Sequence, residues 1–285
     1  MTQVDQKNAN GIAYLEAVPA RDAGLVPALC LHGFPETSYM WRHVLHALGD
    51  SGRRAIAPDL PGFGDSRPDP PGTWERHIDA VERFRRHLEL ERVALLVHDW
   101  GGLIGLRWAC EHPDAVAALV LSNTGFFPDG KWHGMARALR TPGEGERLVG
   151  SMTSEGFAQM LAAVSRGIDS SVAAQYWKTF ETEAGRQGIL ELYRSGDFHK
   201  LERYEGKLGE LYAPTLVLWG ENDVFAPVAG AYRFKREIPG AKLVVVEGAG
   251  HFVYSDEPQR CAREIVDFLA SQQAAESRRP RHALG

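Results

Sequence analysis

The sequence is poor in cysteine. Among its 285 residues there are three cysteines, Cys30, Cys110 and Cys261, and they are widely spaced. An odd number at such spacings is not typical of a disulfide framework or of a zinc site. We therefore expect reduced, buried cysteines in a cytoplasmic protein that holds neither a metal ion nor another cofactor.

The sequence also lacks a basic excess and any long apolar run. Lysine and arginine number 32 against 37 acidic residues, a net charge of −5, which argues against a nucleic acid or an anionic membrane as partner. No run approaches the length of a membrane span, and the polar amino terminus (MTQVDQKNANG) has no signal-peptide core. What is present is ordinary for a globular enzyme: 44% hydrophobic and 24% charged residues. The oligomeric state cannot be predicted from this composition.

Apolar strand-length runs alternate with helix-length runs through most of the chain. This alternation predicts an α/β fold with a mostly parallel central sheet and helices on both faces. The predicted strands are 12–18, 26–31, 53–57, 92–97, 115–121, 214–219 and 241–246. The predicted helices are 74–88, 103–111, 232–237 and 257–270.

The rhythm is interrupted in one long segment. Residues 125–212 have helix-length stretches, glycine and proline punctuation and many aromatic residues, but no convincing strand. We interpret this segment as an inserted helical cap, and residues 1–124 and 213–271 as the core domain. Residues 272–285 (QQAAESRRPRHALG) are polar and basic, and we expect them to form a disordered tail.

The most informative residue is Asp99. It lies between the apolar run RVALLV and a helical run, so the sequence places it on a sharp strand-to-helix turn. A carboxylate with an ordinary pKa of about 3.9 is ionised at neutral pH and needs no base to act as a nucleophile. Asp99 therefore favours attack on a carbon that bears a leaving group, such as a halide or a strained epoxide oxygen.

Two further polar residues follow later predicted strands. Asp223 lies in WGEND and His251 in GAGHF, each just past a strand. The carboxyl ends of parallel strands share one edge of a sheet, and ligands bind there. We expect both side chains at the edge that carries Asp99. Glu221 is the alternative to Asp223 as the acidic residue that acts there.

Five motifs in this order resemble those of the aspartate-nucleophile branch of the α/β-hydrolase superfamily, which includes epoxide hydrolases and haloalkane dehalogenases. They are LHGFPETSYMWR, PDLPGFGDS, LVHDWGGLIGLRW, WGENDVFAP and GAGHF. The resemblance implies an α/β-hydrolase fold, Asp99 as nucleophile, His251 as base and Asp223 as the acid that orients it. It also implies an oxyanion hole made by the backbone N–H groups of Phe34 and Trp100.

The resemblance leaves the leaving group open, and the cap should decide it. Epoxide hydrolases place two cap tyrosines over the nucleophile; Tyr193 is similar to the second, and Tyr176 is a candidate for the first. A dehalogenase would instead use Trp100 and a cap tryptophan as halide donors, for which Trp132 and Trp177 are candidates. We therefore expect Trp100, Tyr176, Trp132 and Trp177 to line the substrate pocket.

The predicted function is hydrolysis through a covalent alkyl-enzyme ester on Asp99. Epoxide hydrolysis to a vicinal diol is favoured, with Tyr193 as proton donor, and haloalkane dehalogenation is the alternative. The predicted partners are water and a small apolar electrophile. A serine esterase is excluded because no serine stands at residue 99. A catalytically silent binding protein on the same scaffold is disfavoured because every part of the catalytic apparatus is present.

Overall fold

The central sheet sets the position of every predicted catalytic residue. The computed structural model describes residues 2–21 and 23–278. Within them one sheet has eight strands in the order β1-β2-β4-β3-β5-β6-β7-β8. The strands are β1 (Val4–Ala9), β2 (Ile12–Ala17), β3 (Ala28–Leu31), β4 (Ala55–Pro58), β5 (Val93–His98), β6 (Val116–Ser122), β7 (Thr215–Gly220) and β8 (Lys242–Val246).

The sheet is mostly parallel, as predicted. The pairs β1/β2 and β2/β4 are antiparallel, and the pairs from β4 through β8 are parallel. Strand β5 lies between β3 and β6, and all of its residues are buried, which explains its continuous apolar run. The predicted α/β architecture is confirmed.

Helices surround the sheet and fill the long segment between β6 and β7. The helices are α1 (Arg42–Asp50), α2 (Trp74–His87), α3 (Trp100–Glu111), α4 (Gly134–Arg140), α5 (Glu144–Ser151), α6 (Ser154–Val164), α7 (Ser170–Glu181), α8 (Glu183–Ser195), α9 (Ala229–Glu237), α10 (Val253–Asp256) and α11 (Pro258–Arg278). Short 3-10 segments occupy Ser38–Trp41, Pro113–Ala115, Phe198–Tyr204 and Lys207–Glu210. Helix α1 packs against α11, and α2 packs against α3.

Every regular element in the segment predicted as a cap is a helix. Between Ser122 and Thr215 the described chain forms α4 to α8 and two 3-10 segments. We keep the name cap for residues 125–212. In the described part of the chain, none of the helices is both long and apolar enough to cross a membrane.

One feature at each chain end was not predicted from the sequence. The polar amino terminus forms the edge strand β1, joined to β2 by an Asn10-Gly11 turn in which both residues have positive φ. Such a turn matches the twist of a hairpin, and backbone pairing holds the polar strand in place. At the other end, α11 continues through Arg278, so the predicted disordered tail begins as helix; residues 279–285 lie outside the described residues.

Candidate active site

Asp99 occupies a strained turn that presents its side chain at the carboxyl edge of the sheet. It follows β5, precedes α3, and has φ 46° and ψ −119°, a positive φ that is uncommon for a residue with a side chain. The backbone oxygen of Asp99 accepts hydrogen bonds from Gly102 N, Leu103 N and Thr124 Oγ1. These bonds hold the turn in a conformation that an unsupported aspartate would leave.

Neighbouring glycines let the chain approach this turn closely. A Cβ atom on Gly33 would lie 2.4 Å from Asp99 Cβ, and one on Gly101 would lie 2.3 Å from the backbone oxygen of Leu31. Both distances are far shorter than van der Waals contact. The loop after β3 can therefore reach Asp99 only because these positions have no side chain.

The two carboxylate oxygens of Asp99 have different neighbours. Oδ1 accepts a hydrogen bond from the backbone N–H of Phe34 at 2.8 Å. Oδ2 lies 3.6 Å from His251 Nε2. The N–H of Phe34 thus lies where it would stabilise a negative charge on Oδ1, while Oδ2 faces His251. The structure places Trp100 directly after Asp99, at the first position of α3.

His251 and Asp223 form a buried pair beside Asp99. His251 Nδ1 and Asp223 Oδ2 are 2.8 Å apart, and the histidine is 4% exposed. Asp223 Oδ1 accepts from the backbone N–H groups of Phe225 and Ala226. Because these bonds fix the carboxylate, the acid can hold the imidazole with Nε2 facing Asp99. Glu221, the rival acid, instead accepts from Gly248 N on the surface.

Charge around His251 favours its protonated form. Burial alone would lower its pKa, but the carboxylates of Asp223, Asp99 and Glu36 outweigh burial and raise the pKa of His251 to about 9. Burial also disfavours the charged form of Asp223. The charge of His251 and the hydrogen bonds that the Asp223 carboxylate accepts nevertheless keep the pKa of Asp223 below its ordinary value. The free site is therefore built to hold an imidazolium among carboxylates.

Three polar residues close to this site were not assigned roles from the sequence. Asn123, at the end of β6, donates from Nδ2 to Asp223 Oδ2 at 2.8 Å and so supports the acid. Glu36 is 1% exposed, and burial raises its pKa to about 8. Its Oε2 lies 3.3 Å from His98 Nε2 without the alignment of a hydrogen bond. The third is His133, which lies in the cap.

Tyr193 reaches the site from the cap. It is 2% exposed, and its ring packs edge-on against the rings of Phe34 and Trp100 at centroid distances of 5.2 and 5.1 Å. Burial and the Asp99 carboxylate raise the pKa of Tyr193 well above its ordinary value. Tyr193 therefore presents a neutral phenol beside Asp99.

Two cavities meet at Asp99 and Tyr193. The large cavity has a volume of about 300 Å³ and is also lined by Trp100, Trp132, His133, Phe198 and Phe225. The small cavity has a volume of about 40 Å³ and is also lined by Phe34, His133, Phe225 and His251 among mostly apolar neighbours. The large cavity has room for the body of a small apolar substrate, and the small one has room for a few atoms at the reacting end.

The predicted pocket residues divide into two groups. Trp100 and Trp132 line the large cavity, with their rings stacked at 5.6 Å. Tyr176 and Trp177 line neither cavity. Tyr176 is fully buried near Glu36 and Arg42, and Trp177 stacks on Phe180 at 5.4 Å within the cap. Their predicted place in the pocket is corrected: on α7 both side chains serve packing.

No metal site accompanies these groups in the part of the chain that the structure describes. Within residues 2–21 and 23–278, no group of three or more histidine, cysteine, aspartate or glutamate side chains is placed to hold a metal ion. The described thiols are free cysteines, and burial raises the pKa of Cys110 and of Cys261 to about 12. The groups available for chemistry are thus a carboxylate, an imidazole–carboxylate pair and a phenol.

Comparison with known proteins finds enzymes that are similar in sequence or in fold. A haloalkane dehalogenase of Psychrobacter cryohalolentis is 31% identical over 280 residues, which cover 90% of this chain and 87% of the relative. A cis-3-alkyl-4-alkyloxetan-2-one decarboxylase of Xanthomonas campestris is 27% identical, covering 94% and 95%. Among solved structures, an epoxide hydrolase of Vigna radiata is similar in fold, with a TM-score of 0.76, 22% identity and coverage of 95% and 98%.

The family itself is shown by a match along most of the chain. The model that describes the alpha/beta hydrolase fold matches residues 27–258, which include β3 to β8 and every catalytic candidate. The dehalogenase relative adds identity above 30% over nearly the whole length. The chain is an enzyme that belongs to the α/β-hydrolase family, with a haloalkane dehalogenase among its relatives and an epoxide hydrolase similar to it in fold.

Proposed function

We propose that the protein is an epoxide hydrolase that uses Asp99 as nucleophile and forms a covalent ester. The observation that carries the proposal is the neutral phenol of Tyr193 beside Asp99. The phenol keeps its O–H proton, so Tyr193 can donate that proton to a substrate oxygen. An opening epoxide releases an alkoxide, which needs a proton; a departing halide does not.

The first step breaks one carbon–oxygen bond of the epoxide and makes another. Asp99 Oδ2 attacks a ring carbon, the ring bond to oxygen breaks, and Tyr193 gives its proton to the alkoxide. The product of this step is a hydroxyalkyl ester of Asp99, with Tyr193 as phenolate. The 300 Å³ cavity, walled by aromatic side chains, suits a small apolar group on the ring carbon.

The second step hydrolyses the ester with the buried pair. His251, held by Asp223, takes a proton from water, and the hydroxide attacks the carboxyl carbon of Asp99. The charge then lies on Oδ1, against the N–H of Phe34 and, in the proposal, that of Trp100. As the ester bond breaks, the former Oδ2 leaves with the diol and takes up the proton of the attacking hydroxide, so Asp99 becomes a carboxylate again. The imidazolium then gives its proton to the Tyr193 phenolate, which restores the enzyme.

Haloalkane dehalogenation is the second candidate, and two observations favour it. The relative of 31% identity is a haloalkane dehalogenase, and Trp100 and Trp132 both line the large cavity. Indole N–H groups are donors without a transferable proton under these conditions, which suits a halide. Both candidates share the nucleophile, the ester and the His251–Asp223 pair.

Epibromohydrin separates the two candidates in one reaction, because it carries an epoxide and a carbon–bromine bond. We expect 3-bromopropane-1,2-diol with bromine retained, and no product with the Asp99→Asn variant. Bromide with glycidol would establish the dehalogenase instead. The Tyr193→Phe variant should lose about 100-fold or more in the rate of epoxide opening, since it keeps the ring and removes the proton donor.

The covalent ester is tested separately from the leaving group. The His251→Gln variant should form the ester but not hydrolyse it, so mass spectrometry should find a substrate-sized adduct on Asp99. The Asp99→Asn variant is the matched blank. Turnover by the wild type without an adduct in the His251 variant would contradict the covalent mechanism.

A further inference from the structure

His133 lies in the cap, where the two cavities meet. It lines both the large and the small cavity, together with Asp99, Tyr193 and Phe225. Its ring packs edge-on against Phe225 at 5.1 Å, and Phe225 packs in turn against His251 at 5.2 Å. The ring of Phe225 thus lies between His133, which is half-buried, and His251.

A backbone contact determines which ring nitrogen of His133 carries the proton. His133 precedes α4, and its Nδ1 accepts a hydrogen bond from Ala136 N at 3.4 Å. A nitrogen that accepts has no proton, so the neutral ring carries its proton on Nε2. Burial lowers the pKa of His133, with Asp99 acting in the opposite direction, so the neutral ring is favoured. The remaining edge of the ring is a single N–H donor.

The small cavity has few groups able to donate a hydrogen bond. Its polar side chains are those of Asp99, Tyr193, His133 and His251, and the rest of its lining is apolar. Asp99 is the nucleophile of the proposed function, and His251 is reserved for water in the second step. Tyr193 and His133 are therefore the donors left for an atom that departs toward the cap.

We propose that His133 is a catalytic residue, a second donor to the leaving atom that acts together with Tyr193. This inference rests on the proposed function. In the first step the Nε2–H of His133 donates a hydrogen bond to the developing alkoxide while Tyr193 supplies the proton. His133 keeps its own proton throughout, so the step balances as written above.

The test measures ester formation apart from ester hydrolysis. In the His251→Gln background, where the adduct accumulates, we compare the rate of adduct formation from 1,2-epoxybutane with and without His133→Asn. Asparagine is a good helix N-cap, so the variant keeps the backbone contact. Its amide N–H groups are closer to the backbone than Nε2, so the variant has no donor at the position of Nε2. We expect adduct formation to slow by about 10- to 100-fold. In enzyme with His251 intact, hydrolysis of the ester should be unchanged.

A matched control excludes an effect through the helix start alone. Thr153 caps α6 through Gly156 N at 3.1 Å and lines neither cavity. The Thr153→Ala variant loses a cap without touching the site, and adduct formation should keep the rate of the parent. Slowing by Thr153→Ala equal to that by His133→Asn would overturn the catalytic role of His133.

The outcomes distinguish this inference from the proposed function. An adduct that forms at equal rates with and without His133→Asn overturns the role of His133 and leaves the nucleophile in place. No adduct in the His251→Gln parent overturns both. Combining His133→Asn with Tyr193→Phe should cost less than the product of the two single losses, because both groups serve one atom. Losses that multiply would place the two donors on different atoms and contradict the proposal.

Discussion

At the scale of single residues, the protonation state of His251 controls the second step of the proposed mechanism. In the free enzyme three carboxylates surround the ring and, against burial, raise the pKa of His251 to about 9. A general base has to be neutral, so the free enzyme holds this residue in the wrong state for that role at neutral pH. Ester formation neutralises Asp99 and removes one of the charges that raise the pKa.

We therefore predict that the pKa of His251 falls when the ester forms. Hydrolysis of the ester should speed up with rising pH, through a midpoint below 9, because deprotonation gives the active base. Rapid quenching followed by mass spectrometry, at pH values on both sides of that midpoint, gives the fraction of enzyme that still carries the ester. A hydrolysis rate independent of pH over this range would contradict His251 as the base.

The residues of this site differ in how readily they can be predicted from the sequence. Asp99, Asp223 and His251 each lie in a short motif beside a strand, and the structure brings them together. Asn123, Glu36 and His133 act across the fold: Asn123 and Asp223 are 100 residues apart. Tyr176 and Trp177 show the opposite case, since α7 places them in packing contacts that no local pattern predicts. Contacts between distant elements are what the sequence alone does not provide.

At the scale of elements, the turn between β5 and α3 depends on close backbone approach. A Cβ atom on Gly101 would lie 2.3 Å from the oxygen of Leu31, which is a backbone atom and cannot rotate away. Gly188, in the middle of α8, is a matched control because a Cβ atom there would meet nothing within 4 Å.

We predict opposite effects of the same substitution at these two glycines. Gly101→Ala should lower the free energy of unfolding by about 3 kcal/mol, since β3 and α3 must separate. It should also abolish activity. Gly188→Ala should raise the free energy of unfolding by about 0.5–1 kcal/mol, because alanine restricts the unfolded chain and favours a helix. Urea denaturation of both variants checks this, and equal effects at the two positions would be evidence against the steric explanation.

Most elements were predictable because their patterns are local, and the exceptions have physical reasons. The strands from β2 to β7 follow from apolar runs that the sheet largely buries, and β8 follows from a short apolar run although it is only partly buried. Strand β1 is polar and exposed, and it forms through backbone pairing; the Asn10-Gly11 pair was the one local signal for it. Helix α1 was not predicted, although Val44, Leu45 and Leu48 give it a buried face.

At the scale of the whole molecule, the cap is fastened to the core by polar contacts near its helices α7 and α8. Thr179 Oγ1 accepts from Gly64 N, and Ser195 Oγ accepts from Trp74 N. Lys178 pairs with Asp65 at 2.8 Å, and Lys200 pairs with Glu75 at 2.9 Å. The aromatic contacts of Tyr193 with Phe34 and Trp100 add an apolar seam across the same boundary.

We predict that cap and core unfold together. Tryptophan lies in both parts, at Trp132 and Trp177 in the cap and at Trp74 and Trp219 in the core, so fluorescence reports on each. In urea, fluorescence and far-ultraviolet circular dichroism should give one coincident transition. An earlier fluorescence change that leaves most of the ellipticity intact would show that the cap melts first.

The unequal surroundings of the two Asp99 oxygens have an isotopic consequence. Oδ1 faces the Phe34 N–H, whereas Oδ2 faces His251 and is the atom that bonds to substrate in the proposed mechanism. Each cycle then exports an enzyme oxygen in the product and replaces it with one from water. A single cycle in ¹⁸O-enriched water should release unlabelled product and leave the label in Asp99. From the second cycle onward the label should emerge, so each product molecule carries an oxygen that entered the protein in an earlier cycle.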